Sequence, residues 1–287
     1  MRLFVLALVS IVGAVTAPGG GPASGTVKSA TGTISPKFAT AYVVRDQRNP
    51  RTSTVEMILT DVAVNPAPLR DDLDRHMTAI NLDELRDRDY VLLWIAPDGS
   101  VRTNATYSKT MTQYIDDSTS GLKAELTTNT LSKVEGRVYA PAPLKGMSGA
   151  TYTIDVKFAA DVIPAPSGTA LPAGGGDPGK ALTAFLAAIA KKDWAGIKAG
   201  LSPKALPNFD RSYNTPAENL SSAIDILNAR LLVTKTKITA GMLLSPTVAL
   251  LEVEGERFGT MWLGFVRMVK TGAVWQFDES APIGMLR

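Results

Sequence analysis

The sequence predicts two domains: an N-terminal mainly-β, sandwich-like domain, and a C-terminal α+β domain with helices packed on an antiparallel sheet. Three observations lead there. Residues 36 to 163 alternate apolar and polar with period two, and turn residues separate the runs. Residues 164 to 179, PAPSGTALPAGGGDPG, hold four prolines and a run of three glycines, which is linker composition. Beyond them the pattern turns helical, with capping residues, and then returns to alternating strands. A chain of 287 residues that is 45% hydrophobic has enough apolar material for two modest cores.

Residues 1 to 23 read as a signal peptide. Arg2 precedes the apolar run Leu3 to Val12, and small residues follow at Val15, Thr16 and Ala17, with a cut expected after Ala23. The run breaks well short of the ~20 apolar residues that a spanning helix needs. Residues 24 to 35, rich in Gly, Ser, Thr and Ala, read as a flexible leader.

The β-rich domain is expected over 36 to 163. FATAYVVRD and TSTVEMILTDVAV are rich in β-branched residues. Tyr90 to Ile95, the turn Pro97-Asp98-Gly99 and Val101 to Tyr107 form a hairpin, in which proline presets the turn and glycine closes it. In TYTIDVKFAADVI, Tyr152, Ile154, Val156 and Phe158 share one face. One insert, residues 69 to 89, departs from the pattern and is expected to hold short helical turns with charges of alternating sign.

Residues 164 to 177 are the expected linker and 178 to 287 the second domain. Asp177 is placed to cap a helix and Pro178 to occupy its first position, with Leu182, Phe185, Leu186 and Ile189 on one face to about Lys192. Asp193 restarts a helix through Trp194, Ile197 and Leu201. Thr215, Pro216 and Glu218 spell a capping box for another. Strands then follow over Lys235 to Leu243, TVALLEVEGE, GTMWLGFVRMVKTG and AVWQFDES, with turns expected at Gly255 and Thr271-Gly272.

The helix ALTAFLAAIAKKDWAGIKAGLS, with its acidic restart at Asp193-Trp194, and the terminal strands ending in Trp275 and Phe277 resemble the nuclear transport factor 2-like superfamily, over roughly residues 177 to 281. That resemblance implies a cone of helices on a curved sheet. The superfamily includes ketosteroid isomerase and polyketide cyclases alongside binding and assembly modules, so it implies a fold and no single function. In its isomerases a carboxylate base works beside a tyrosine. Here the weak candidates for such a set are Tyr213, Asp210 and Asp225.

Composition excludes several chemistries. Without cysteine there are no thiol nucleophiles, disulfides or thiolate metal sites, and a single histidine, His76, rules out a multi-histidine site. The formal charge is +3 with no Lys/Arg cluster, so nucleic acid is not an expected partner. His76, between Arg75 and Met77 in the insert, reads as a solvated surface residue. The carboxylates around it lack EF-hand spacing and are interleaved with arginines, giving a salt-bridged face rather than a calcium site. No phosphate loop and no Gly-x-Ser-x-Gly elbow is present.

The expectation is therefore an exported bacterial protein, periplasmic or secreted, with no cofactor or metal and no membrane partner once the signal is removed. Its role is that of a non-catalytic module binding a small apolar ligand or a protein. A ligand pocket would be walled by Phe185, Ile189, Trp194, Phe209, Tyr213, Met261, Phe265 and Trp275. Two alternatives stand beside it. One is an isomerase- or cyclase-type enzyme using Tyr213 with Asp210 or Asp225. The other is a structural envelope protein that dimerises through the C-terminal sheet. Both faces of TMWLGFVRMVK are largely apolar, so the face turned away from the helices needs a cover, either a second copy or the first domain.

Overall fold

The computed structural model describes residues 20–110, 112–116, 121–145, 149, 151–207 and 234–286. The expected signal segment up to residue 19 and the expected capping box at Thr215 lie outside the described residues. The fold is mainly β, an eleven-stranded curled sheet followed by a five-stranded antiparallel sheet.

The first sheet runs through β1 (Gly20–Ser29), β2 (Thr33–Ile34), β3 (Phe38–Arg45), β4 (Ser53–Thr60), β5 (Tyr90–Ile95), β6 (Val101–Tyr107), β7 (Thr112–Asp116), β8 (Lys123–Asn129), β9 (Lys133–Tyr139), β10 (Leu144–Lys145) and β11 (Thr151–Ile163). Its main path is β7-β6-β5-β4-β3-β1-β11-β9-β8. The expected hairpin strands match β5 and β6. The expected sandwich is instead one continuous sheet, because β1 and β11 each belong to both halves. β1 pairs along β11 from Ala23 opposite Phe158 to Ser29 opposite Tyr152, while Gly20, Gly21 and Pro22 pair with β3. β11 ends parallel to β3 at Val162 and Ile163. The two halves curl around a shared core that includes Met57, Leu59, Leu93, Tyr152, Ile154 and Phe158.

Residues 24 to 29 are thus strand, not flexible leader, and Gly20 to Ala23, expected inside the signal, start the same strand. The glycines misled because they permit close packing rather than mobility. A Cβ on Gly21 would lie 1.8 Å from the Ala159 carbonyl oxygen. Gly25 takes φ 106° with the Asp155 carbonyl where a side chain would be.

The insert is structured and largely buried on one side. It folds as α1 (Ala67–Asp71), α2 (Arg75–Ile80) and a 3₁₀ turn, Asp83–Leu85. Leu69, Ala79, Leu82 and Leu85 cover the outer face of β3, β4 and β5, against Tyr42, Ile58, Tyr90 and Leu92. That answers a pattern in the strands themselves: β4 is buried on both faces, so it needs a cover on each.

The second sheet comprises β12 (Thr169–Ala170), β13 (Thr234–Ser245), β14 (Val248–Arg257), β15 (Thr260–Thr271) and β16 (Val274–Met285), in that order. β12 lies within the expected linker and pairs with Met242 and Leu243, so most of that segment belongs to the second unit. Helix α3 (Gly176–Ala190) starts from Gly175 with no side-chain cap, leaving Asp177 in its first turn. Leu182, Phe185 and Ile189 are buried as their spacing predicts. Asp193 caps α4 (Trp194–Ala199) by accepting from the Gly196 N–H at 3.0 Å. Gly255 sits inside β14, and the turn falls at Phe258 and Gly259, both with positive φ.

Along β14 the faces separate cleanly. Ala249, Leu251 and Val253 pack under α3, and Leu250, with Ala281 of β16, packs on Leu73 of the insert. Glu252 and Glu254, on the same side as Leu250, pair with Arg45 and Arg51 at 3.1 and 2.6 Å. The second apolar face is therefore covered by the first unit of the same chain.

Candidate functional site

Between the two units lies a cavity of about 880 Å³. From the first unit, Glu56, His76, Trp94 and Arg102 reach it. From the second come Leu250, Glu252, Trp262 and Phe265.

The register of three strands builds its polar centre. Tyr42 stands directly opposite Glu56, and Glu56 directly opposite Trp94, so the three form a row across β3, β4 and β5. Glu56 is only 1% exposed. Its Oε1 accepts from the Tyr42 hydroxyl at 2.7 Å, and its Oε2 from the Trp94 indole N–H at 2.9 Å. The insert supplies the fourth member, with His76 Nδ1 2.7 Å from Oε1. The carboxylate offers only acceptors here, so Nδ1 carries the hydrogen and the imidazole's tautomer is fixed.

Helix α2 holds His76 in place. Asp74 caps it by accepting from the Met77 N–H at 3.1 Å. The neighbouring Arg75, expected on a solvated face, is buried and donates to the carbonyls of Val43 at 3.1 Å and Arg70 at 2.9 Å. These bonds pin the helix to the end of β3. Elsewhere the insert carries one exposed pair of its own, Arg86 with Asp83, while Arg88 reaches out of it to Asp61 just after β4.

The electrostatics follow from burial and pairing. The Glu56 hydrogen bond raises the pKa of His76 above its ordinary value, against the opposing pull of burial. Burial, then the Glu56 charge, pushes the Tyr42 hydroxyl well up, so it stays a donor. Burial also raises Asp74. His76 retains 25% side-chain exposure, and its ring centroid lies 5.9 Å from that of Trp94. Arg102 stands 5.5 Å over Trp94, and Arg45 stands 5.7 Å over Phe265. The arrangement is a rigid polar floor with one imidazole edge turned to the cavity, between aromatic and cationic walls.

Of the residues expected to wall a pocket, Phe265 lines this cavity. Phe185 and Ile189 are buried between α3 and the sheet, where Phe185 stacks on Phe277 at 4.9 Å. Trp194 and Trp275 are half-buried against that core. Met261 is half-buried on β15. Between α3 and the sheet the free space is about 20 Å³, room for little more than a water. Phe209, Tyr213, Asp210 and Asp225 lie outside the described residues. His76, expected in solvent, is instead bonded to a buried carboxylate at the cavity. The signal that would have found it is Glu56, a charge set in the otherwise apolar run VEMIL.

No protein-family model matches the chain, and no curated protein matches it either. Among solved structures, one similar chain is described as an Ntf2-like protein involved in plasmid conjugation. It is 16% identical, and the alignment covers 56% of this chain and 75% of that one with a TM-score of 0.25. The likeness is distant and does not say which unit carries it.

Proposed function

We propose that this chain is an exported binding module that holds a small amphipathic molecule between a curled-sheet β domain and a nuclear transport factor 2-like cone. The observation that carries this reading is the cavity. Its volume of about 880 Å³ falls within the range of small-molecule sites, and apolar walls around a few fixed polar groups are their usual build. The apolar run after Arg2 supports export, and a chain without cysteine is compatible with it. The first domain occupies the sheet face that a dimer would use, so one chain is taken as the working unit.

Native mass spectrometry of the protein purified gently from its own host tests this. The expected result is a mass excess of a small molecule, lost on denaturation and lost in Trp262→Ala. A clean polypeptide mass, together with no thermal shift from a library of amphipathic small molecules, would overturn it.

A further inference from the structure

The cavity's polar lining is unevenly used. Its carboxylates already have protein donors. Glu56 takes three, and Asp74 takes the Met77 N–H. Asp72 accepts the Asp74 N–H at 2.9 Å. Glu252 takes Arg45 at 3.1 Å and the Thr239 hydroxyl at 2.9 Å. A cationic ligand would have to compete for each of them. One donor differs. His76 spends Nδ1 on Glu56, and among the described residues its Nε2 makes no protein hydrogen bond, while the ring stays a quarter exposed. Arg45 and Arg102 flank the same space, each lying over an aromatic face and each already paired with a carboxylate, Glu252 at 3.1 Å and Asp46 at 3.3 Å. Trp94, Trp262, Phe265 and Leu250 supply apolar lining to the same space. A negative head fits the imidazole edge, because a charge-assisted bond there is stronger than a neutral one.

We propose that the ligand is an organic carboxylate with a flat apolar body, its carboxylate received by His76 Nε2 and its body held between the aromatic walls of the two domains. This rests on reading the cavity as a ligand site. Glu56 acts through His76 as a positioning residue. It fixes the ring and keeps Nε2 directed away from the protein.

Three probes of one shape test it on the full chain: pyrenebutyrate, pyrenebutanol and pyrenebutylamine, followed by energy transfer from tryptophan to pyrene. The acid is expected to bind at least about tenfold tighter than the alcohol, with the amine weakest. His76→Gln should bring acid and alcohol within about threefold of each other. Equal binding of acid and alcohol by the native protein, which needs no variant to observe, would overturn the carboxylate assignment and leave the cavity reading standing. So would a preference for the acid that survives in folded His76→Gln. Failure of all three probes to bind would overturn the cavity reading itself.

Discussion

His76 and Glu56 meet at 2.7 Å across the seam between the helical insert and the sheet. One is on a short helix and the other at the centre of a doubly covered strand, so their bond fastens the insert to the β domain as well as shaping the cavity floor. Removing the carboxylate takes the acceptor from three donors, of which the Tyr42 hydroxyl is fully buried. Glu56→Ala should cost about 3 to 5 kcal/mol of unfolding free energy. Glu56→Gln should cost less, since the amide oxygen still accepts. Urea unfolding followed by tryptophan fluorescence measures both, and a loss under about 1 kcal/mol for the alanine variant would mean the cluster is not formed.

The same bond gives stability a pH dependence of defined sign. Glu56 holds the folded-state pKa of His76 above the ordinary value of 6.5, so the imidazolium favours the folded state. That contribution is complete below about pH 6.5, where the unfolded chain is also protonated. It is lost as pH rises through the folded-state pKa. Unfolding free energy should fall on the alkaline side of about pH 6.5 in the native protein, and fall less in His76→Gln. Urea titrations at a series of pH values compare the two, and identical profiles would refute the assignment.

The two units also touch at a point that tolerates no side chain. A Cβ on Gly284 would lie 2.3 Å from the carbonyl oxygen of Gln47 and 2.9 Å from the Pro50 ring. Gly284→Ala should wedge the units apart while leaving each sheet intact. Small-angle scattering should report a larger radius of gyration, and calorimetry a transition split in two. An unchanged scattering profile would show that this contact yields without opening the seam.

Within the second unit, Phe185→Ala should cost about 3 kcal/mol or more, because the ring is buried and stacks on Phe277. Chemical denaturation checks it, and a near-neutral result would contradict the packing of α3 on the sheet.

Local periodicity made much of this fold legible. The hairpin at Tyr90 to Tyr107, the buried stripe Leu182, Phe185 and Ile189, and the Asp193 cap each follow from neighbours a few residues apart. What escaped depends on distant partners. Gly21 and Gly25 look like a flexible leader until β11 is laid against them. Gly255 looks like a turn until its strand runs through it. The site escaped for the same reason. Tyr42, Glu56 and Trp94 become a row only when strand register is known, and His76 joins them only when the insert folds over that face. Glu56 alone gave a local clue.

The double membership of β1 sets an order of assembly. A chain made from its N-terminus delivers β1 first, but the partner along most of its length, β11, is completed only at Ile163. Until then β1 has only the short β2 and, at its first three residues, β3 to pair with, and closure of the curled sheet waits on one of its most distant pairings. The His76–Glu56 pair needs nothing beyond the first unit, whereas Phe265, Ile283 and Gly284 lie on strands made after it. A chain halted after the first unit would carry the imidazole floor without its roof. Occupancy of the chamber would then report that the second unit had been made and had docked on the first.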